Sequence, residues 1–342
     1  AVYCLRAADG RLAWRFRAAP RDRRIVSYGR VESAWPVHGS VLVEGGVAYF
    51  AAGRSSFLDG GLYLFGLDVA TGAVRHQARL VGPEPDLSKP SNRAHDMDGS
   101  RNDILVGTGG KLYLTQNVFD LSLKPLPAPR IARWGARKTD LHLVATGGFL
   151  DDSMFDRIYW MHARRWPGLY VAVATSKAGQ ILVFDGTTTY GLHVFTRKFS
   201  RSPYFQPASG GYELFADDND NEPVLVKGNA ARERGSMTRA APPRWSVQIP
   251  VRARAMVLAP SAPGKEAGRV FLAGPPDAID PEDPLAALEG RAGALLWAVS
   301  SADGSKRAEY RLACPPVFDG LIAARGKLFL ATVDGAVSCW GR

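Results

Sequence analysis

The sequence predicts an all-β fold, a β-propeller of four-stranded antiparallel blades, on the strength of three observations. A unit of apolar strand, glycine turn, strand and Ala-Asp-Gly or Ala-Thr-Gly turn recurs at Val2–Trp14, Leu64–His76 and Leu296–Ala308. In each copy the turn glycine (Gly10, Gly72, Gly304) precedes the Trp14, His76 or Ala308 position by four residues. The 36 glycines and 23 prolines are spread along all 342 residues, as many short strands joined by tight turns require. Such a unit cannot bury its own apolar face, so neighbouring copies must stack.

In chain order, residues 1–20 read as half a blade. Residues 37–82 form the most complete unit, with Val41-Leu42-Val43, the turn Glu44-Gly45-Gly46, Val47–Ala52 and Leu62–Leu67 alternating as an antiparallel meander. Further blades are expected at 99–166, 167–200 and 245–313, an insertion loop at 201–244, and a terminal partial blade at 314–342. Asp280–Glu289 reads as a short capped helix within a loop. Together these make about five blades or part-blades in a single domain, an incomplete set from a longer propeller, with the chain starting and stopping inside a unit.

Apolar residues make up 46%, ample for a packed core. The formal net charge of +10 comes from 33 arginines and 10 lysines against 33 acids, but the charges are scattered with no run of five alike, which argues against nucleic-acid binding. Three cysteines, Cys4, Cys314 and Cys339, leave no complete disulfide framework. Cys4 and Cys339 occupy matching strand positions, where small buried apolar residues are expected. No apolar run is long enough to span a membrane.

Chemistry-bearing patterns are sparse. The six histidines show no zinc spacing, and there is no nucleophile elbow or phosphate loop, so neither a catalytic residue nor a metal ligand is assigned. The loops 217–222 and 96–103 carry Asp217, Asn219 and Asn221, and Asp96, Asp98 and Ser100, at calcium-loop spacing. Both lack the required turn glycine and terminal glutamate, and solvated turns are the simpler reading. The best ligand-binding candidates lie in two connections, Arg23, Arg24, Glu32 and Trp35 in one and Asp151, Asp152 and Arg157 in the other. There guanidinium, carboxylate and indole could hold a sugar or a carboxylate.

The copy with Leu67-Asp68 and Thr71-Gly72 resembles the pyrroloquinoline-quinone-like repeat of the quinoprotein alcohol dehydrogenase-like superfamily. The stretches Trp14–Pro20, Trp35–Ser40, Gly148–Ser153 and Ala273–Asp277 are similar to large secreted bacterial propeller proteins best known from planctomycetes. The resemblance covers nearly the whole chain and implies a periplasmic or extracellular location. In that superfamily the catalytic members hold the quinone with a Trp platform, calcium, a catalytic Asp and often adjacent cysteines, none of which transfers to residues here, while many relatives bind no quinone. No cofactor is therefore expected, quinone with calcium being the alternative. The motif residues Asp9, Gly10, Trp14, Asp68, Thr71, Gly72, Asp303 and Gly304 are read as a blade-packing device. Trp14 fills the gap between blades, and packing weakens where His76 and Ala308 replace it. The expected function is a non-catalytic binding or scaffolding module for a protein or carbohydrate partner. The alternative is a quinone-dependent or polysaccharide-active enzyme using a channel near the Asp151 and Arg24 loops, or chemistry in a domain before residue 1.

Overall fold

In the computed structural model the described residues are all but 28, 83–99, 101, 116, 128–136, 146–159, 167–176, 195–207, 209, 226–236, 262–266 and 342. They form an all-β protein of the β-propeller class, in two compact units, 1–130 with 147–151, and 131–146 with 152–342.

The first unit begins with the two-stranded sheet β1 (Val2–Leu5) and β2 (Leu12–Phe16), followed by the hairpin β3 (Arg24–Ser27) and β4 (Arg30–Ser33). Two four-stranded blades follow. One is β5 (Leu42–Glu44), β6 (Val47–Ala52), β7 (Leu62–Asp68) and β8 (Val74–Leu80). The other is β9 (Leu105–Thr108), β10 (Lys111–Leu114), β11 (Asn117–Asp120) and β12 (Pro125–Leu126). All pairings are antiparallel between sequence neighbours, as alternating apolar strands with tight turns dictate.

All six residues of β6 are buried, because its sheet is covered on both faces. On one side Tyr49, Ala51, Leu62 and Leu64 pack with Leu105, Leu112, Leu114 and Phe119 of the next blade. On the other, Phe50 and Phe65 meet Phe16 of β2 at ring-centroid distances of 5.9 and 5.1 Å. Burying each such ring stabilises the stack by about 2 kcal/mol.

The second unit holds the hairpin β13 (Arg137–Ala145) and β14 (Trp160–Trp166). Its next blade combines β15 (Ile181–Phe184), β16 (Thr188–Val194) and β17 (Tyr212–Asp218), and closes, after the hairpin β18 (Pro223–Leu225) and β19 (Met237–Arg239), with β20 (Trp245–Gln248). A further blade is β21 (Ala255–Ala259), β22 (Arg269–Gly274), β23 (Ala294–Ser300) and β24 (Lys306–Leu312). Between β22 and β23 sits one helical turn, α1 (Ala286–Glu289), ended by Gly290 in the left-handed region. The three strands β25 (Pro316–Ala324), β26 (Lys327–Thr332) and β27 (Val337–Trp340) complete the unit, joined to the preceding blade by a core of Ala255, Leu296, Leu321 and Leu330.

Two boundaries differ from expectation. The stretch 201–244, expected as an insertion, contains β17, the third strand of a blade, and Trp245–Gln248 closes that blade instead of opening the next. Glu213, Asp217 and Asp218 disguise a strand covered on both faces, in which Tyr212, Leu214, Phe215, Ala216 and Asp217 are all buried. Within 99–166, the blade ends at β12, and β13 with β14 forms a separate pair. Cys339 is exposed, not buried.

Candidate functional site

The repeated turn is a carboxylate device. Asp68 accepts from the amides of Ala70 and Thr71 at 3.0 and 2.9 Å and from the Thr71 hydroxyl at 3.0 Å. Asp9 accepts from the Arg11 amide and Asp303 from the Ser305 amide, and Asp120 and Asp334 do the same at turns outside the recognised motif. Each of the five carboxylates sits below its ordinary pKa: Asp9 chiefly through the Arg6 guanidinium, Asp68 through the Thr71 amide, and Asp120, Asp303 and Asp334 through the hydroxyls of Ser122, Ser305 and Thr332, with the turn amides adding to the effect. Asp303, held first by the Ser305 hydroxyl and then by its amide, is lowered to about 2.

Blades are keyed to each other at one recurring point, a main-chain carbonyl just past the third strand. Trp14 donates its indole N–H to the Val69 carbonyl at 3.0 Å and lies flat on Gly72, where a Cβ would come within 2.8 Å of the ring. Trp245 repeats this, donating to the Ser301 carbonyl at 3.0 Å and covering Gly304, with 2.6 Å to a hypothetical Cβ. Glycine is therefore required at both turns for a close approach as well as for positive φ. Trp14, Trp245, His76 and Ala308 hold the same place in their strands, opposite Cys4, Ala216, Gly66 and Ala298.

The His76 joint is not left weak. Tyr49 donates its hydroxyl to the Leu121 carbonyl at 2.6 Å, and His76 stacks on the Tyr49 ring at 6.5 Å. At the blade containing β17 the donor is an ammonium. Lys177, fully buried, donates to the carbonyls of Asp218, Asn219 and Asn221 at 2.9, 3.2 and 2.9 Å. Burial pushes its pKa down, while the charges of Asp217 and Glu222 pull it back up.

The main chain of 217–222 thus presents its oxygens to a cation, Lys177, while the side chains at the calcium-like spacing have other partners. Asp217, itself buried, is bound by Arg239 Nε at 2.6 Å and by the Asn221 amide at 2.6 Å. Asn219 continues the network through the Thr189 hydroxyl, 2.8 Å away, to His162 Nδ1, 3.0 Å from that hydroxyl. Among the described residues no group of three His, Cys, Asp or Glu side chains is placed to hold a metal. Asp96 and Asp98 lie outside the described residues, and Ser100 is buried, its amide donating to the Ser56 hydroxyl.

Of the candidate ligand-binding residues, the structure brings Arg23 and Trp35 together on one residue that sequence reasoning missed, Asp59. Asp59 is paired to Arg23 at 2.9 Å and Arg54 at 2.6 Å, and its own carbonyl receives the indole N–H of buried Trp35 at 2.9 Å. Arg24 and Glu32 sit apart from this cluster on the β3–β4 hairpin, opposite Ser33 and Ile25. Asp151, Asp152 and Arg157 lie outside the described residues.

A groove of about 1090 Å³ opens between the β21–β24 and β25–β27 sheets; Ala308, which takes the tryptophan position on β24, is not among its lining residues. Leu258, Phe271, Leu296 and Leu328 form its apolar floor. Tyr310 and Trp340, with ring centroids 5.8 Å apart, flank it, and Arg269, Arg325 and Lys327 supply charge. No carboxylate, imidazole or thiol occurs among its described lining residues. Arg325 is unusual. The equivalent two-residue turns at Gly45-Gly46 and Gly109-Gly110 use glycine where φ is 55° and 57°, whereas Arg325-Gly326 places arginine at 50°. An L side chain there costs about 1 kcal/mol.

No family model matches the chain, and no curated protein sequence does. Solved structures with a similar fold include BamB from Moraxella catarrhalis, at 12% identity and TM-score 0.39, over 91% of this chain and 85% of that one. The BBS1N protein in complex with ARL6DN is similar at 9% identity and TM-score 0.42, over 85% and 73%. The quinohemoprotein alcohol dehydrogenase from Comamonas testosteroni is similar at 13% identity and TM-score 0.38, over 96% and 59%. Likeness at this level concerns fold alone.

Proposed function

We propose that this chain is a non-catalytic propeller module that binds a protein or carbohydrate partner, in the periplasm or outside the cell. One observation carries the reading. The open groove between the β21–β24 and β25–β27 sheets offers aromatic, aliphatic and cationic surface and, among its described lining, no carboxylate, imidazole or thiol. Elsewhere, carboxylates that might have done chemistry are committed to the fold, as turn caps at Asp68 and Asp303 and as ion pairs at Asp59 and Asp217. The location rests on the sequence resemblance, and no helix among the described residues is long and apolar enough to cross a membrane.

In loop 217–222 three carbonyls accept from Lys177 and the Asp217 carboxylate accepts from Arg239. The reading is tested by hydrogen exchange across a panel of peptides and oligosaccharides, with each panel member assayed afterwards for chemical change. Protection of 258–261 and 323–328 by an unaltered ligand is expected. Conversion of any panel member, or protection confined to other segments, would contradict it.

A further inference from the structure

We infer that the hairpin β3–β4 is a docking surface for an anionic lipid bilayer, apart from the groove, with which it shares no residue. Its outer face carries Arg24, Val26, Val31 and Ser33, because Arg24 pairs with Ser33 and Val26 with Val31 across the two strands. Val26 is 75% and Val31 65% exposed, whereas Ile25, Ser27 and Glu32 of the opposite face are half-buried. Among the described residues the hairpin pairs with no strand of a blade. Charge names the occupant. Residues 15–32 hold six arginines against Asp22 and Glu32, a net +4 of the chain's +10. Arg15 lies over the Tyr3 ring, Arg17 is 3.9 Å from Asp22 and Arg23 is paired with Asp59, but Arg21, Arg24 and Arg30 are exposed and their side chains have no partner among the described residues. Arginines beside an exposed apolar pair suit the surface of a bilayer, where the valines enter the headgroup boundary and the guanidiniums meet lipid phosphate. A protein partner is poorly served, since a stable protein interface engages roughly 20–30 residues a side and this face presents four.

The hairpin is held from its base, so little order has to be gained on docking. Ala34 donates its amide to the Arg23 carbonyl at 3.1 Å, and Trp35 donates its amide to the Ser33 hydroxyl at 3.1 Å. The Trp35 indole N–H reaches the Asp59 carbonyl at 2.9 Å, and Arg23 reaches the Asp59 carboxylate at 2.9 Å. Asp59 takes this place with φ at 54°, in the left-handed region. Arg23, Trp35 and Asp59 are thus the mount of the hairpin, and Arg24, Arg30 and the two valines are its contact.

The test is flotation of the full chain with vesicles of phosphatidylcholine alone or mixed equally with phosphatidylglycerol. The chain should float with the anionic vesicles and not with the neutral ones. Arg24→Gln with Arg30→Gln should weaken the association about tenfold or more, and Val26→Ser with Val31→Ser should weaken it comparably. Lys111→Gln with Arg311→Gln, which removes as much charge from exposed positions elsewhere, should leave it unchanged. All these substitutions fall on exposed side chains, and a circular dichroism melt confirms that each variant folds. Equal weakening by the Lys111 and Arg311 pair would reduce the effect to net charge and overturn the inference. Binding to soluble polyglutamate as tight as to the vesicles would overturn it in favour of an acidic protein, and a valine variant that floats as before would overturn it too. Equal flotation with neutral and anionic vesicles, or with neither, would do the same. None of these results bears on the groove, which the exchange panel tests separately.

Discussion

Lys177 shows how a single side chain can stand in for a bound ion. Three main-chain carbonyls converge on its ammonium in a buried site, and removing the charge leaves all three without their donor. Orphaned buried acceptors cost about 1–3 kcal/mol each, less whatever water recovers. Lys177→Met should therefore lower the unfolding free energy by about 3 kcal/mol in a urea melt, and Lys177→Ala should regain part of the loss in added methylammonium. A melt unchanged by Lys177→Met would contradict the assignment. The wedge tryptophans are the apolar counterpart. Trp14→Ala and Trp245→Ala should each cost roughly 3 kcal/mol, and Tyr49→Phe, which removes only the hydroxyl bonded to Leu121, about 1 kcal/mol. Trp14 could be read from its repeat because Gly72 and Trp14 both leave sequence marks. Lys177 could not, because its partners are backbone carbonyls, which any residue supplies.

At the scale of the element, the two-residue turns were legible wherever glycine met the demand for positive φ, as at Gly45-Gly46 and Gly109-Gly110. Arg325-Gly326 breaks that rule, and the break carries a prediction. Arg325→Gly should raise stability by about 1 kcal/mol in chemical denaturation, and Arg325→Ala should not. A variant that loses stability as Gly would show that the side chain itself holds the turn. Strand β17 illustrates the opposite failure of legibility. Its apolar face is intact at Tyr212, Leu214 and Ala216, but flanking glycine and acids resemble an exposed loop until the strand is paired with β16 and β20. A turn is specified within four residues, whereas a strand in a sheet is specified by neighbours tens of residues away.

Across the whole molecule, acid sensitivity follows from the turn carboxylates. Asp68, Asp120, Asp303 and Asp334 have folded-state pKa values below the ordinary 3.8, so the stability they contribute is fully present above that value and is lost as pH falls through the lowered ones. Thermal midpoints should thus change little through these groups from pH 7 to about 5 and fall between about pH 4 and pH 2, where Asp303 titrates last. A midpoint that holds down to pH 2 would show that the capped turns do not stabilise the fold. The propeller class was readable from the repeat because each copy restates the same packing problem. The candidate site was readable only in part. Arg23 and Trp35 do meet, around the unforeseen Asp59, whereas the groove depends on how two sheets pack side by side, which leaves no local mark in the sequence.

The most direct measurement bears on the keys between blades. If an indole donated to a neighbouring carbonyl holds the blades together, Trp14→Ala and Trp245→Ala should each lower the thermal midpoint clearly, while Arg30→Glu, an exposed position away from either key, should leave it unchanged. A midpoint unchanged in both tryptophan variants would contradict the account.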